Sequence, residues 1–200
     1  MLKKNRPDSI VKLYSSEVGE IIMGRNSRKL DILNAASKIV KERGIFNLTL
    51  DAVAAEAGFS KGGLLYHYPS KEALVKGMVG YLAENYQEKV TADMEKDPEE
   101  KGKWIRAYVN VTFNQTNENK NKNAILLAAK AVDPKLLDPI REVYEGWRDQ
   151  VEHDGIDPMK ATIIQLAADG IWLSELFDIN RMEEDKKEEV FQALIKWANQ

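Results

Sequence analysis

Two hundred residues with 44% hydrophobic side chains can bury a substantial core, as one large domain or two small ones. No window approaches the ~18 consecutive apolar residues of a membrane span, and Met1–Met23 does not read as a signal peptide because Lys12, Glu17 and Glu20 break its apolar stretches; the expected location is the cytoplasm. The absence of cysteine excludes disulfides and thiolate metal sites, and a net charge of −3 argues against a chain that is basic throughout.

That small net charge hides an asymmetry. Basic residues outnumber acidic ones nine to five from Gly24 to Lys76, whereas acidic residues lead by 24 to 16 from Gly77 to Gln200. A basic front on an acidic body points to a polyanion met by the front alone. Met1–Met23 reads as an extension without a long apolar period, and Met23-Gly24 is an alternative start.

Helical periodicity begins at Arg28, with Leu30, Leu33, Ala36, Ile39 and Val40 on one face and Gly44 as the stop. Leu50, Val53, Ala54 and Ala57 form the next stripe, opened by Thr49 as N-cap and closed by Gly58. Ser60 caps a short third helix, Lys61 to about His67, which Pro69 ends. A fourth, Lys71–Lys89, carries Leu74, Met78, Leu82 and Tyr86. After the charged break Glu95–Lys101 come helical stretches at Lys103–Asn117, Asn123–Val132, Pro134–His153, Pro158–Ile179 and Glu183–Ala198. No alternating strand pattern and no internal repeat appears. The predicted fold is all-α, with about nine helices and three parts: an extension (1–23), a three-helix domain (24–70) and a helical bundle (71–200).

The most informative stretch runs from Thr49 to Glu72, TLDAVAAEAGFSKGGLLYHYPSKE. Two short helices joined at Gly58-Phe59-Ser60 have the pattern of a helix-turn-helix. Small Ala54 and Ala57 let the helices cross closely, and Phe59 and Leu64 fill the wedge. The second helix opens with two glycines, each costing about 1 kcal/mol against alanine; close approach of another surface would compensate. DNA supplies such a surface, with Lys61 for phosphates or base edges and Ser60 at a helix N-terminus.

This stretch closely resembles the TetR family of bacterial regulators. The resemblance rests on Ser60-Lys61-Gly62-Gly63-Leu64-Leu65-Tyr66-His67-Tyr68-Pro69-Ser70-Lys71-Glu72-Ala73-Leu74. Leu50–Gly58 precedes it, and Ile32-Leu33-Asn34-Ala35-Ala36 stands in the first helix. The departures are Tyr68, where phenylalanine is commoner, and Pro69 before Ser70. The motif covers about a quarter of the chain; beyond it, length, helix placement and Leu166–Trp172 are also similar. The resemblance implies that the third helix lies in the major groove of operator DNA. Thr49, Tyr66, His67 and Lys71 would then hold phosphates, and Ser60, Lys61, Gly62, Gly63 and Leu65 would face bases. It also implies a small-molecule effector in the C-terminal part, where Trp104, Tyr108, Phe113, Tyr144 and Trp147 are candidate lining residues and Asn114, Gln115 and Asn117 nearby polar groups. Each aromatic taken singly is more often plain core.

Pro158–Ile179 is apolar nearly all round, which predicts burial on most sides. With Glu183–Ala198 it is the expected homodimer interface, through Ile163, Ala167, Gly170, Ile171, Ser174 and Leu194. The two histidines, His67 and His153, stand in no metal-binding spacing, so neither metal nor cofactor is expected. An enzyme is disfavoured because there is no cysteine nucleophile, no glycine-rich phosphate loop after a strand and no histidine beside a serine. A ligand-independent architectural DNA binder would be basic throughout, which the acidic body contradicts.

Overall fold

The structure is a computed structural model that describes residues 27–114, 117–179 and 182–200, with the backbone alone for 117–124. The expected extension, residues 1–23, lies outside the described residues. Among those described, nine α-helices and no strand occur. The first, α1, spans 27–43. It is followed by a 3-10 turn Ile45–Asn47, α2 (Leu50–Ala57), α3 (Lys61–His67), α4 (Lys71–Met94), α5 (Lys103–Phe113), α6 (Asn117–Val132), a 3-10 turn Pro134–Leu137, α7 (Asp138–His153), α8 (Pro158–Leu176) and α9 (Glu184–Ala198). The contacts divide the chain into two compact units between Lys71 and Glu72.

Several boundaries differ from the sequence expectation; α6 starts at Asn117 rather than Asn123 and α8 ends at Leu176 rather than Ile179. The stretch from Pro134 is not one helix. Pro139 has no N–H to give the carbonyl of Lys135, so a 3-10 turn opens under the Asp133 side chain, and the α-helix starts afresh at Asp138 with Pro139 in its first turn. Helix α5 stops at Phe113, with Asn114 as its C-cap. Helix α4 continues past Lys89 to Met94 because Val90 still finds buried contacts.

In the first unit, Ile32, Leu33, Ala35, Ala36 and Ile39 of α1, Val53 and Ala54 of α2, and Leu64 and Tyr68 around α3 are buried. Spacings of three and four residues turn these side chains to one face of each helix.

The second unit is built around α5, seven of whose eleven residues are buried, so that it is the central helix. It packs against α7, α8 and α9. Its start is held by two acids. The Asp154 carboxylate accepts the N–H groups of Trp104 and Ile105 at 2.7 and 2.9 Å, satisfying donors that a helix N-terminus leaves open. Buried Arg106 donates to Asp97 Oδ2 (2.7 Å), to the carbonyls of Lys101 (2.7 Å) and Glu99 (2.6 Å), and to Asn199 Oδ1 (3.1 Å). That guanidinium therefore clamps the charged loop before α5 and the end of α9. Gly102 sits in the clamp at φ 77, and a Cβ there would lie 2.5 Å from the Ala198 carbonyl oxygen.

Two expectations about the last helices need correction. Helix α8 is not buried on most sides: only Ala161, Ile164 and Ala168 are, while Ile163, Leu166, Leu173 and Phe177 stay exposed on this chain. Leu194, assigned to a dimer interface, faces the opposite way. It is buried in its own chain's core with Trp104, Tyr108 and Ile164 and is out of a partner's reach. The cause is the register of α9, where Val190, Leu194 and Ala198 form the inner row.

Candidate functional site

The helix-turn-helix is built by local capping. Thr49 Oγ1 accepts the Ala52 N–H at 3.1 Å and opens α2. Gly58, left-handed at φ 71 and ψ 26, closes it. Ser60 Oγ accepts the Gly63 N–H at 3.1 Å and opens α3. The turn thus needs only the residues from Thr49 to Ser60, and α2 and α3 pack on each other around Val53 and Leu64.

On the outer side of α3, Lys61, Gly62 and Tyr66 are exposed, Gly63, Leu65 and His67 half-buried. Thr49 and Ser60 are exposed at the two helix starts, and Lys71 is half-buried at the start of α4. The nine residues proposed to meet DNA therefore belong to α3 and to the N-termini of α2, α3 and α4. Tyr66 and His67 meet edge-on at 5.2 Å, and His67 meets Phe59 at 6.5 Å. The two glycines have different causes. A Cβ on Gly63 would approach Ser60 Oγ to 3.2 Å, so its size protects the cap; a Cβ on Gly62 would meet no described atom within 4 Å, so nothing described in this chain requires glycine there. Sequence reasoning did not foresee the partner of Lys61. Its ammonium pairs with Asp51 of α2 at 2.9 Å, with both side chains largely exposed. Such a surface pair is worth about 0–1 kcal/mol and is easily exchanged for a phosphate.

A second candidate site is a small, partly open cavity of about 50 Å3 in the second unit, lined by residues of α4 to α8. The structure brings Tyr108, Tyr144 and Trp147 together there, joined by Tyr86, Thr112, Asp169 and Trp172. Trp147 is the hub: its ring centroid lies 4.7 Å from Tyr144, 5.3 Å from Tyr108 and 5.4 Å from Tyr86. Tyr108 and Tyr144 both donate to Asp169 Oδ1, the latter at 3.2 Å. Tyr86 and Thr112 share a hydrogen bond at 2.5 Å. Burial pushes all three tyrosine hydroxyls up, so they stay protonated donors at neutral pH, and burial also raises Asp169.

Trp104 and Phe113 do not line this cavity. Trp104 stacks on Tyr108 at 5.1 Å and borders an open groove along α4 and α7. Phe113 packs against Phe191 at 5.4 Å. Asn114 is exposed as the α5 C-cap; Gln115 and the side chain of Asn117 lie outside the described residues. Asp169 escaped sequence reasoning although a signal existed: between Lys160 and Glu175 it is the lone charge in an apolar helix.

A third feature is the outer face of α8. Met159, Ile163, Leu166, Gly170, Leu173 and Phe177 recur at steps of four and three, and the five side chains are 67, 50, 63, 41 and 52% exposed. A Cβ on Gly170 would meet no described atom within 4 Å. Ala167, Ile171 and Ser174 flank this row, partly covered, around a shallow groove with Met182 and Lys187.

Among the described residues, no cluster of metal-binding side chains occurs and no helix is long and apolar enough to cross a membrane. Residues 32–78 match the family described as bacterial regulatory proteins, tetR family, and residues 102–199 match the tetracyclin repressor-like C-terminal domain. The HTH-type transcriptional repressor KstR2 of Rhodococcus jostii is 30% identical over 76 residues, 36% of this chain and 37% of that protein, so the alignment spans well under half of either. Among solved structures, a putative transcriptional regulator of Streptomyces coelicolor, SCO7518, superposes with a TM-score of 0.67 at 16% identity, covering 86% of this chain and 99% of its own. A putative TetR-family regulator from Rhodococcus sp. gives 0.65 at 20% identity, with 86% and 97% covered. The multidrug binding protein EbrR, complexed with malachite green, gives 0.64 at 23% identity, with 85% and 97% covered.

Proposed function

Because this chain belongs to the TetR family of transcription regulators, we propose that it is a repressor that binds a palindromic operator as a homodimer and is released by a small, largely apolar molecule. The observation that carries the DNA part is the outer side of α3. Lys61, Gly62 and Tyr66 stand exposed on a helix whose inner side is fixed by Leu64, and Gly62 leaves room that this chain does not itself use. An anion-seeking Thr49, Ser60 and Lys71 at three helix N-termini would fix the phosphates.

Dimerisation is supported by the row along α8. Five large apolar side chains with a glycine at their middle make a patch that soluble monomers seldom leave uncovered. Its steps of four and three suit packing against a second helix of the same kind. Two-fold symmetry would then place two α3 helices on half-sites about 34–36 Å apart, or a multiple.

The effector would enter the cavity around Trp147. EbrR, a protein of the same fold, is described in complex with imidazole, malachite green and ethidium. The cavity of about 50 Å3 is well below the ~150 Å3 that accommodates benzene, so an effector must push its walls apart. One wall is α4, through Leu82, Ala83 and Tyr86, and α4 follows α3 after only three residues. Widening the cavity would therefore displace the helix that leads directly to the DNA-reading one. A coupling of about 1–3 kcal/mol would change operator affinity roughly 5- to 150-fold, and operator would weaken effector binding by the same factor.

Selection of bound duplexes from a random pool, followed by footprinting of the winners, tests the DNA reading. A two-fold symmetric consensus is the expected result. Binding without sequence preference or without symmetry would overturn it.

A further inference from the structure

The cavity carries a charge that its surroundings leave unanswered. Asp169 lies on the inner side of an apolar helix, and its hydrogen-bond partners among the described residues are two neutral hydroxyls, those of Tyr108 and Tyr144, both on Oδ1. No described lysine or arginine pairs with it. Burying a carboxylate in this way is costly unless a positive charge joins it. Around it stand Tyr86, Tyr108, Tyr144 and Trp147, whose ring faces attract cations. One further group is unsatisfied: the Trp172 indole N–H is buried and finds no acceptor among the described residues.

We propose that the molecule taken by this cavity is an organic cation, an aromatic or alkyl ammonium whose charge sits against Asp169 within the four-ring cage. This rests on the reading of the cavity as the effector site and adds the sign of the effector's charge. An anion would face Asp169 directly and be repelled. A neutral molecule of the same shape would leave the carboxylate as unpaired as before, so it gains the apolar contacts alone. A cation gains those contacts, the carboxylate and the ring faces together. An acceptor atom on the ligand would in addition satisfy the Trp172 N–H.

The test uses two probes of one shape, phenyltrimethylammonium and tert-butylbenzene, in which a quaternary nitrogen is exchanged for carbon. Each is titrated calorimetrically into the full-length protein and into Asp169→Asn, which keeps an oxygen acceptor for both tyrosine hydroxyls and removes the charge. The wild-type protein is expected to prefer the cation by at least about tenfold, or ~1.4 kcal/mol. Asp169→Asn is expected to lose that preference, its affinity for the cation falling to that for tert-butylbenzene. Equal binding of both probes by the wild type, which needs no variant to establish, would overturn the cation assignment and leave the effector cavity standing. Preference kept by Asp169→Asn would do the same. Neither probe binding at millimolar concentration would overturn both the assignment and the cavity as an effector site.

Discussion

Gly62→Ala separates what holds α3 together from the DNA contact proposed for it. Gly62 is the second residue of α3, exposed, and a Cβ there would meet no described atom within 4 Å. Within the chain the methyl group is free of steric cost, and replacing glycine by alanine in a helix gains up to about 1 kcal/mol. A first-turn position realises part of that, so roughly 0.5 kcal/mol of added stability is expected, a rise of about 1–4 °C in melting temperature depending on how much of the chain unfolds together. On DNA the same methyl projects into the space that the groove would fill, and operator affinity is expected to fall at least about tenfold, ~1.4 kcal/mol. Gly63→Ala is the internal control. Its Cβ would crowd Ser60 Oγ at 3.2 Å, so strain at a cap worth about 1 kcal/mol offsets the helix gain and stability changes little. Thermal melts and fluorescence anisotropy on the selected operator read the two quantities. A Gly62→Ala protein that is more stable and binds operator as tightly as the wild type would refute the placement of this face on DNA.

Other outcomes follow from the same geometry. Lys71→Ala should weaken binding to all sequences alike and reduce the salt slope of operator binding by about one, measured by titration at several salt concentrations. Leu166→Asp, in the middle of the exposed row on α8, should yield monomers in sedimentation without unfolding the chain, because the side chain is 63% exposed within it. Arg106→Met should cost about 3–5 kcal/mol in denaturant melts, since it leaves Asp97, two carbonyls and Asn199 without their donor. Arg106 also sets a pH dependence. It holds the Asp97 carboxyl below the usual range, so that carboxylate contributes stability above the ordinary aspartate pKa, and the contribution is lost as pH falls through the lowered folded value. Acid melts of Arg106→Met should show a correspondingly shallower loss in that window.

Sequence alone determined the all-helical class, the family and the helix-turn-helix, because all three rest on short-range chemistry. A glycine at φ 71 ends α2, a serine caps α3, and apolar residues three and four apart choose the inner faces. Each of these acts within one or two turns and can be read from neighbouring letters. Even there the Lys61–Asp51 pair was hidden, since it joins residues ten apart on two different helices. Only the tertiary structure decided how the aromatics of the C-terminal part divide. Trp104, Tyr108, Phe113, Tyr144 and Trp147 look alike as letters, yet the packing of α5 against α7, α8 and α9 puts three of them around a cavity and turns Phe113 onto Phe191. The inward turn of Leu194 and the outward turn of Leu166 depend on the same packing. An apolar helix such as α8 carries no periodic contrast to say which side meets its own chain. Its one charged interior residue, Asp169, was visible in the sequence, but its two tyrosine partners come from α5 and α7, 61 and 25 residues away, and could be identified only once those helices were packed together.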